Sequence, residues 1–182
     1  NFKDVTDRTI MEYINAFERL HIIDEIESWN PNIRSKTAIR TSNKKSMIDP
    51  SLAVAALGAT PKDIMLDVKT FGLLFENLVD RDLSVYVNSI GGYCQHYRDR
   101  YGLECDNVIH LNDGRYGLVE VKLGSLESIK EAEEHLLEFN KLIQANDKMQ
   151  KAEFLMIITG TTEIAYTTEN GVLVVPIGCL KD

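Results

Sequence analysis

Glu104 and Asp106 stand two residues apart in Leu103-Glu104-Cys105-Asp106-Asn107-Val108-Ile109, and Glu120 and Lys122 stand two apart in Gly117-Leu118-Val119-Glu120-Val121-Lys122. Strand side chains alternate faces, so each pair shares a face, with Cys105 opposite Asp106. The intervening Asn112-Asp113-Gly114 is turn chemistry that folds one strand back on the other. Acids and an ammonium are therefore expected to meet at the open end of one hairpin. Two carboxylates 4 Å apart at an effective dielectric near 20 repel by about 4 kcal/mol. A divalent cation with oxygen ligands relieves that repulsion, so these residue types offer metal-assisted chemistry. The competing reading is a cross-strand salt bridge, worth under about 1 kcal/mol if exposed.

Several elements must hold that hairpin in place. Thr6 caps a helix carrying Ile10, Ile14, Phe17 and Leu20, and a short strand, Ile22-Ile23-Asp24-Glu25-Ile26, follows. After a polar stretch come a strand at Ser46-Met47-Ile48 and a helix capped by Asp49, opened by Pro50 and stopped by Gly58. Thr60 and Pro61 restart the chain, which sets a boundary between residues 1–58 and 59–182. Phe71, Leu74, Phe75, Leu78 and Val79 form the stripe of a further helix, with Glu76 at the margin of the core. Ile90-Gly91-Gly92 ends it, and Tyr93 to Arg98 alternate as a strand before the hairpin.

An amphipathic helix is expected from Leu126 to about Lys148, its polar face to solvent. The unbroken apolar run Phe154-Leu155-Met156-Ile157-Ile158-Thr159 has the pattern of a strand buried on both faces, central in a sheet covered by helices. Ile164 to Thr167 and Val172 to Ile177, joined across Glu169-Asn170-Gly171, close as a second hairpin, with Pro176 placing the last strand near an edge. The fold class is α/β, a mixed sheet with flanking helices, preceded by a small helical, winged-helix-like segment.

The chain has 182 residues, 44% hydrophobic and 26% charged, an ordinary composition for a packed domain. No apolar run reaches the roughly 20 residues of a membrane span, and the polar opening is no signal peptide, so the expected location is the cytoplasm and no membrane is expected as a partner. The first residue is Asn rather than Met, which reads as a piece of something longer. A formal charge of −8 argues against polyanion binding through the whole surface. A nucleic-acid contact needs a local patch, and Arg34, Lys36, Arg40, Lys44 and Lys45 lie in a stretch without an acid. A solvated basic loop is the other reading of that stretch. The three cysteines, Cys94, Cys105 and Cys179, lack metal-ligand spacing and read as reduced thiols, while His21, His96, His110 and His135 show no triad or zinc pattern and read as surface or packing residues.

Asp106 followed by Glu120-Val121-Lys122, within the order helix, strand, strand, strand, helix, strand, resembles the core of the PD-(D/E)XK nuclease superfamily, whose fold is restriction-endonuclease-like. Phe71-Gly72-Leu73-Leu74-Phe75-Glu76-Asn77-Leu78-Val79, Tyr97-Arg98-Asp99, Glu104-Cys105-Asp106, Val119-Glu120-Val121-Lys122 and Pro176-Ile177-Gly178 are similar to the uncharacterised C-terminal domain of bacterial and archaeal AAA-type ATPases. The pattern departs from the superfamily in having Cys105 rather than proline before Asp106, and no Gln-x-x-x-Tyr follows Lys122.

The resemblance implies Mg²⁺ or Mn²⁺ held by Asp106, Glu120 and the Val121 carbonyl, with Glu76 as an outer or second-site ligand. It further implies Lys122 as the residue that positions the nucleophile, Arg98 as a phosphate partner, and Glu104 either as an extra ligand or as a partner of Lys122 or Arg98. Cleavage of nucleic-acid phosphodiesters follows as one function. A catalytically inactive module that binds DNA, a partner protein or its own ATPase domain is the alternative. An upstream ATPase domain of the same protein, DNA or RNA, and a further copy of the chain are the implied partners. The phosphate-binding signature G-x-x-x-x-G-K-[ST] is absent from these residues, so no ATP site is expected here.

Overall fold

The computed structural model describes residues 6–30, 42–99, 102–145 and 150–181. Helix α1 (Asp7–Arg19) is capped by Thr6, whose side chain accepts from the Thr9 amide. Its stripe is not a core face. Ile10, Phe17 and Leu20 are exposed and α1 has no buried residue. Strands β1 (Ile23–Ile26) and β2 (Lys44–Met47) pair antiparallel as a separate two-stranded ribbon. Helix α2 (Pro50–Leu57) has Asp49 as its cap and stops at Gly58, whose φ of 62° is costly for a residue with a Cβ. Thr60 and Asp63 form a capping box on α3 (Pro61–Leu66).

Helix α4 (Val68–Ser89) leads into β3 (Gly92–Arg98), β4 (Glu104–Leu111) and β5 (Tyr116–Lys122). Helix α5 (Leu126–Gln144) and β6 (Phe154–Thr159) follow, then β7 (Tyr166–Thr167) and β8 (Leu173–Pro176). The expected order of helix, three strands, helix and strand is the order found. The strands form one six-stranded mixed sheet, β3-β4-β5-β6-β8-β7. β4 runs antiparallel to both β3 and β5; β5, β6 and β8 run parallel, and β7 returns antiparallel on β8. The run Phe154–Thr159 is thus internal, flanked by β5 and β8. Helix α5 ends at Gln144, and the expected extension to Lys148 falls on residues outside those described.

The last strand lies near an edge, as its proline predicts. β8 lies between β6 and the two-residue β7, and Pro176 is tolerated because β7 pairs only with Leu173 and Val174. The core has two layers. On one face of the sheet α5 packs Ile129, Ala132, Leu136, Phe139 and Ile143 against Val108, Leu118 and Ile157. On the other, α4 packs Phe75, Val79, Leu83 and Val87 against Ile109, Val119 and Ile158. Trp29, from the N-terminal segment, is buried in the first layer against Tyr97, Tyr116 and Phe139, a core role consistent with its apolar bulk.

Candidate functional site

The site is made by a departure from regular strand geometry. Between β3 and β4 the register runs from Gln95↔Val108 to Tyr97↔Cys105, so two steps along β3 match three along β4. The extra residue is a bulge at Asp106 and Asn107, which breaks the alternation. Cys105 and Val108 belong to the same core layer, while the Asn107 side chain donates to Asp80 on α4. Strict alternation across Glu104 to Asn107, expected from the sequence, therefore fails. Pairing of β4 with β5 ends at Asn107↔Val119. Beyond that pair the strands fork, and the Asp106 carboxylate takes the place of a backbone acceptor: the Val121 amide donates to its Oδ2 at 2.8 Å. The N–H and C=O of one strand residue point to the same side, so the Val121 carbonyl faces the fork as well.

On β5, Glu120 and Lys122 share the α5 face. Glu120 is buried, and both its oxygens are bonded: Lys122 Nζ donates to Oε2 at 2.9 Å, and His135 Nδ1 lies 2.9 Å from Oε1. Glu76 reaches toward the same end of the sheet from α4 and is bonded to Lys44 Nζ at 2.6 Å. Burial first, then the charges of Glu120 and Glu76, push the Asp106 carboxyl up to about 8. Burial works against the Lys122 ammonium, but Glu120 and Asp106 outweigh it and hold its pKa above the usual lysine value. Among the described residues no ion pair reaches Asp106, and no group of three His, Cys, Asp or Glu side chains is close enough to hold a metal ion.

Asp106, Glu120, Val121 and Lys122 are thus brought together, with Glu76 at their margin. Glu104 and Arg98 are not part of that group. They pair with each other across β3 and β4 at 3.2 Å, on the exposed surface. Of the basic stretch, Lys44 bridges Glu76 and Asp80, and Lys45 pairs with Glu18 and Glu25, so both are neutralised within the chain. Arg34, Lys36 and Arg40 lie outside the described residues. The three cysteines are free thiols, with Cys105 buried and Cys94 pushed up to about 12 by burial and by Asp80.

His135 reads from its sequence as a surface or packing residue, and the structure places its Nδ1 against the buried Glu120. Its signal was its position on α5, between the buried Ala132 and Leu136, where a helical residue borders the core stripe. A second unforeseen cluster joins Lys44, Asp80 and Asn107. Asp80 Oδ2 lies 2.7 Å from Lys44 Nζ, and its Oδ1 accepts from Asn107 Nδ2 at 2.8 Å.

A mixed α/β domain with a carboxylate fork and an adjacent lysine is the class these observations define. The chain belongs to the family described as a domain of unknown function (DUF4143), a domain found with AAA ATPases, whose model matches residues 71–180. A second model, also described as a domain of unknown function (DUF8612), matches residues 1–63. No curated protein matches the chain. Among solved structures it is similar, at 12% identity and a TM-score of 0.37, to one described as a refined half-complex from the tetradecameric assembly of Thermococcus gammatolerans McrB AAA+ hexamers with bound McrC. That likeness covers 97% of this chain and 64% of the other, so the chain spans less than two thirds of its length. No helix among the described residues is long and apolar enough to cross a membrane.

Proposed function

We propose that the β4/β5 fork is a divalent-cation centre of the PD-(D/E)XK nuclease type, and that the chain is the nuclease-fold module of an AAA-type ATPase, acting on nucleic-acid phosphodiesters. One observation carries the reading: Asp106 is a carboxylate in surplus. It sits with Glu120 and Glu76, while the nearby cations Lys122 and Lys44 are engaged by other acids; burial first, and then those two acids, raise its pKa to about 8.

The donors fit Mg²⁺ or Mn²⁺ in kind. Asp106, Glu120 and the Val121 carbonyl are hard oxygens, and such ions take one or two carboxylates while keeping waters or substrate phosphates in the remaining positions. A cluster of three acidic side chains is therefore not required. Glu76 would join only by leaving Lys44. The cation, when bound, supplies charge neutralisation and polarisation of a phosphoryl oxygen. Lys122, held as the ammonium, is suited to donating hydrogen bonds to phosphate oxygens or to an attacking water, and not to taking a proton. Arg98, exposed and bonded only to Glu104 among the ion pairs described, is available to a phosphate further along the strand.

The alternative reading is a catalytically inactive module that binds DNA, a partner protein or its own ATPase domain. It is favoured by the engagement of both Glu120 oxygens and by the neutralisation of Lys44 and Lys45.

Calorimetric titration with Mn²⁺ separates the two. The wild type is expected to bind, Asp106→Ala and Glu120→Ala to lose that binding, and affinity to rise from pH 6 to pH 9 as Asp106 gives up its proton. Weak binding unchanged in both variants removes the catalytic reading. Cleavage of single- and double-stranded DNA and RNA with Mg²⁺, lost in the same variants, then identifies the substrate.

A further inference from the structure

Resting on the reading of the fork as a cation centre, we propose that His135 is its positioning residue, holding the Glu120 carboxylate from a helix outside the hairpin. Glu120 is only 4% exposed as a side chain, and each of its oxygens has one donor. The two donors differ in kind. Lys122 belongs to the same strand, two residues away, on a flexible stem, so it moves with Glu120 and cannot by itself fix it. His135 belongs to α5, and its neighbours on that helix, Ala132, Leu136 and Phe139, are buried in the core layer. The imidazole is therefore referenced to the hydrophobic core.

An ionised carboxylate only accepts hydrogen bonds, so the proton between the two groups lies on Nδ1, and in the neutral ring Nε2 remains an acceptor. Oε1 is thereby committed to the protein. Oε2, whose partner Lys122 can swing away, is left as the oxygen for the cation. This is the role that outer hydrogen-bond partners play toward ligating carboxylates, where their loss typically lowers metal affinity 10–100-fold.

The test uses Mn²⁺ alone, titrated calorimetrically into the full chain and into His135→Leu and His135→Gln, with the melting temperature of each metal-free protein measured alongside. His135→Leu fills a similar space without a donor; His135→Gln restores one. His135→Leu is expected to weaken Mn²⁺ binding about 10–100-fold, and His135→Gln to recover most of the loss. In Glu120→Ala, His135→Leu is expected to have no further effect on Mn²⁺.

Mn²⁺ binding by His135→Leu equal to that of the wild type overturns the proposal while leaving the cation centre standing. So does an equal loss in the leucine and glutamine variants. Absence of specific Mn²⁺ binding in the wild type, or binding indifferent to Asp106→Ala and Glu120→Ala, overturns the cation centre and the role of His135 with it.

Discussion

Asp80 and Asp106 are two acids on neighbouring elements, both removed from water and both with carboxyl pKa values raised chiefly by burial. Asp80 has a counter-charge. Lys44 lies 2.7 Å away and Asn107 donates to the other oxygen, while Lys44 is itself held well above the usual lysine range because Asp80 and Glu76 outweigh its own burial. Asp106 has a backbone amide and, near it, two further acids. The first arrangement is a closed polar cluster that ties β2 to α4 and β4. The second is unbalanced, the arrangement expected if the proposed cation completes it. The two acids differ in their partners, since burial is common to both.

The largest expected effect tests the balanced half. Lys44→Met leaves Asp80 buried without its cation and should cost about 3–5 kcal/mol in urea unfolding. The pair Lys44→Met with Asp80→Asn should recover most of it, because both charges then leave together. An unfolding midpoint unmoved by Lys44→Met would erase the contrast with Asp106.

Next comes the unbalanced half. Folded Asp106 keeps its proton up to about pH 8 against an ordinary value of 3.8. Its contribution to stability is therefore full below about pH 4 and is lost as the pH rises through 8. Asp106→Asn removes that titration, so the metal-free variant should be more stable than the wild type by a margin that grows from pH 5 to pH 9, to the order of a few kcal/mol. Mn²⁺ should narrow the margin by stabilising the wild type alone. Melting curves across that pH range, with and without Mn²⁺, measure both effects. A margin that shrinks with pH would reverse the assignment of Asp106.

The smallest effect belongs to the exposed pair. Arg98→Ala removes a contact to Glu104 in which the arginine is 68% exposed, and should change stability by less than about 1 kcal/mol. A larger loss would place Arg98 in the structural machinery and against the phosphate contact proposed for it.

What could be read along the chain follows from how local each signal is. Caps at Thr6, Asp49 and Thr60, the stop at Gly58 and the unbroken run Phe154–Thr159 depend on a few neighbouring residues, and the structure has them as expected. The hairpin that carries Asp106, Glu120 and Lys122 was also foreseeable, because its turn and the shared face of Glu120 and Lys122 are local signals. The bulge was not. Nothing in Glu104-Cys105-Asp106-Asn107 distinguishes three residues facing two partners from three facing three, and that extra residue is what sends Asn107 to Asp80 and frees Asp106 for the Val121 amide. His135 and Lys44 escaped for a related reason. One is 15 residues from Glu120, and the other is 32 from Glu76 and across the boundary set at residue 58, so only tertiary packing brings them to their acids. Pro176 rightly put β8 near an edge, because only the two-residue β7 lies outside it and does not reach the proline.

One contact of the N-terminal segment reaches past the site. The Trp29 amide donates to the His96 carbonyl, and the His96 amide donates to the Glu27 carbonyl, so β3, the outer strand of the sheet on that side, already has its free groups bonded at its middle. An outer strand left bare is a template on which a second molecule can extend the sheet. Cutting the chain at residue 58 would strip this guard and leave an empty socket where the indole lies. The shortened protein is thus expected to associate along that edge more readily than the full chain, a difference that light scattering measures.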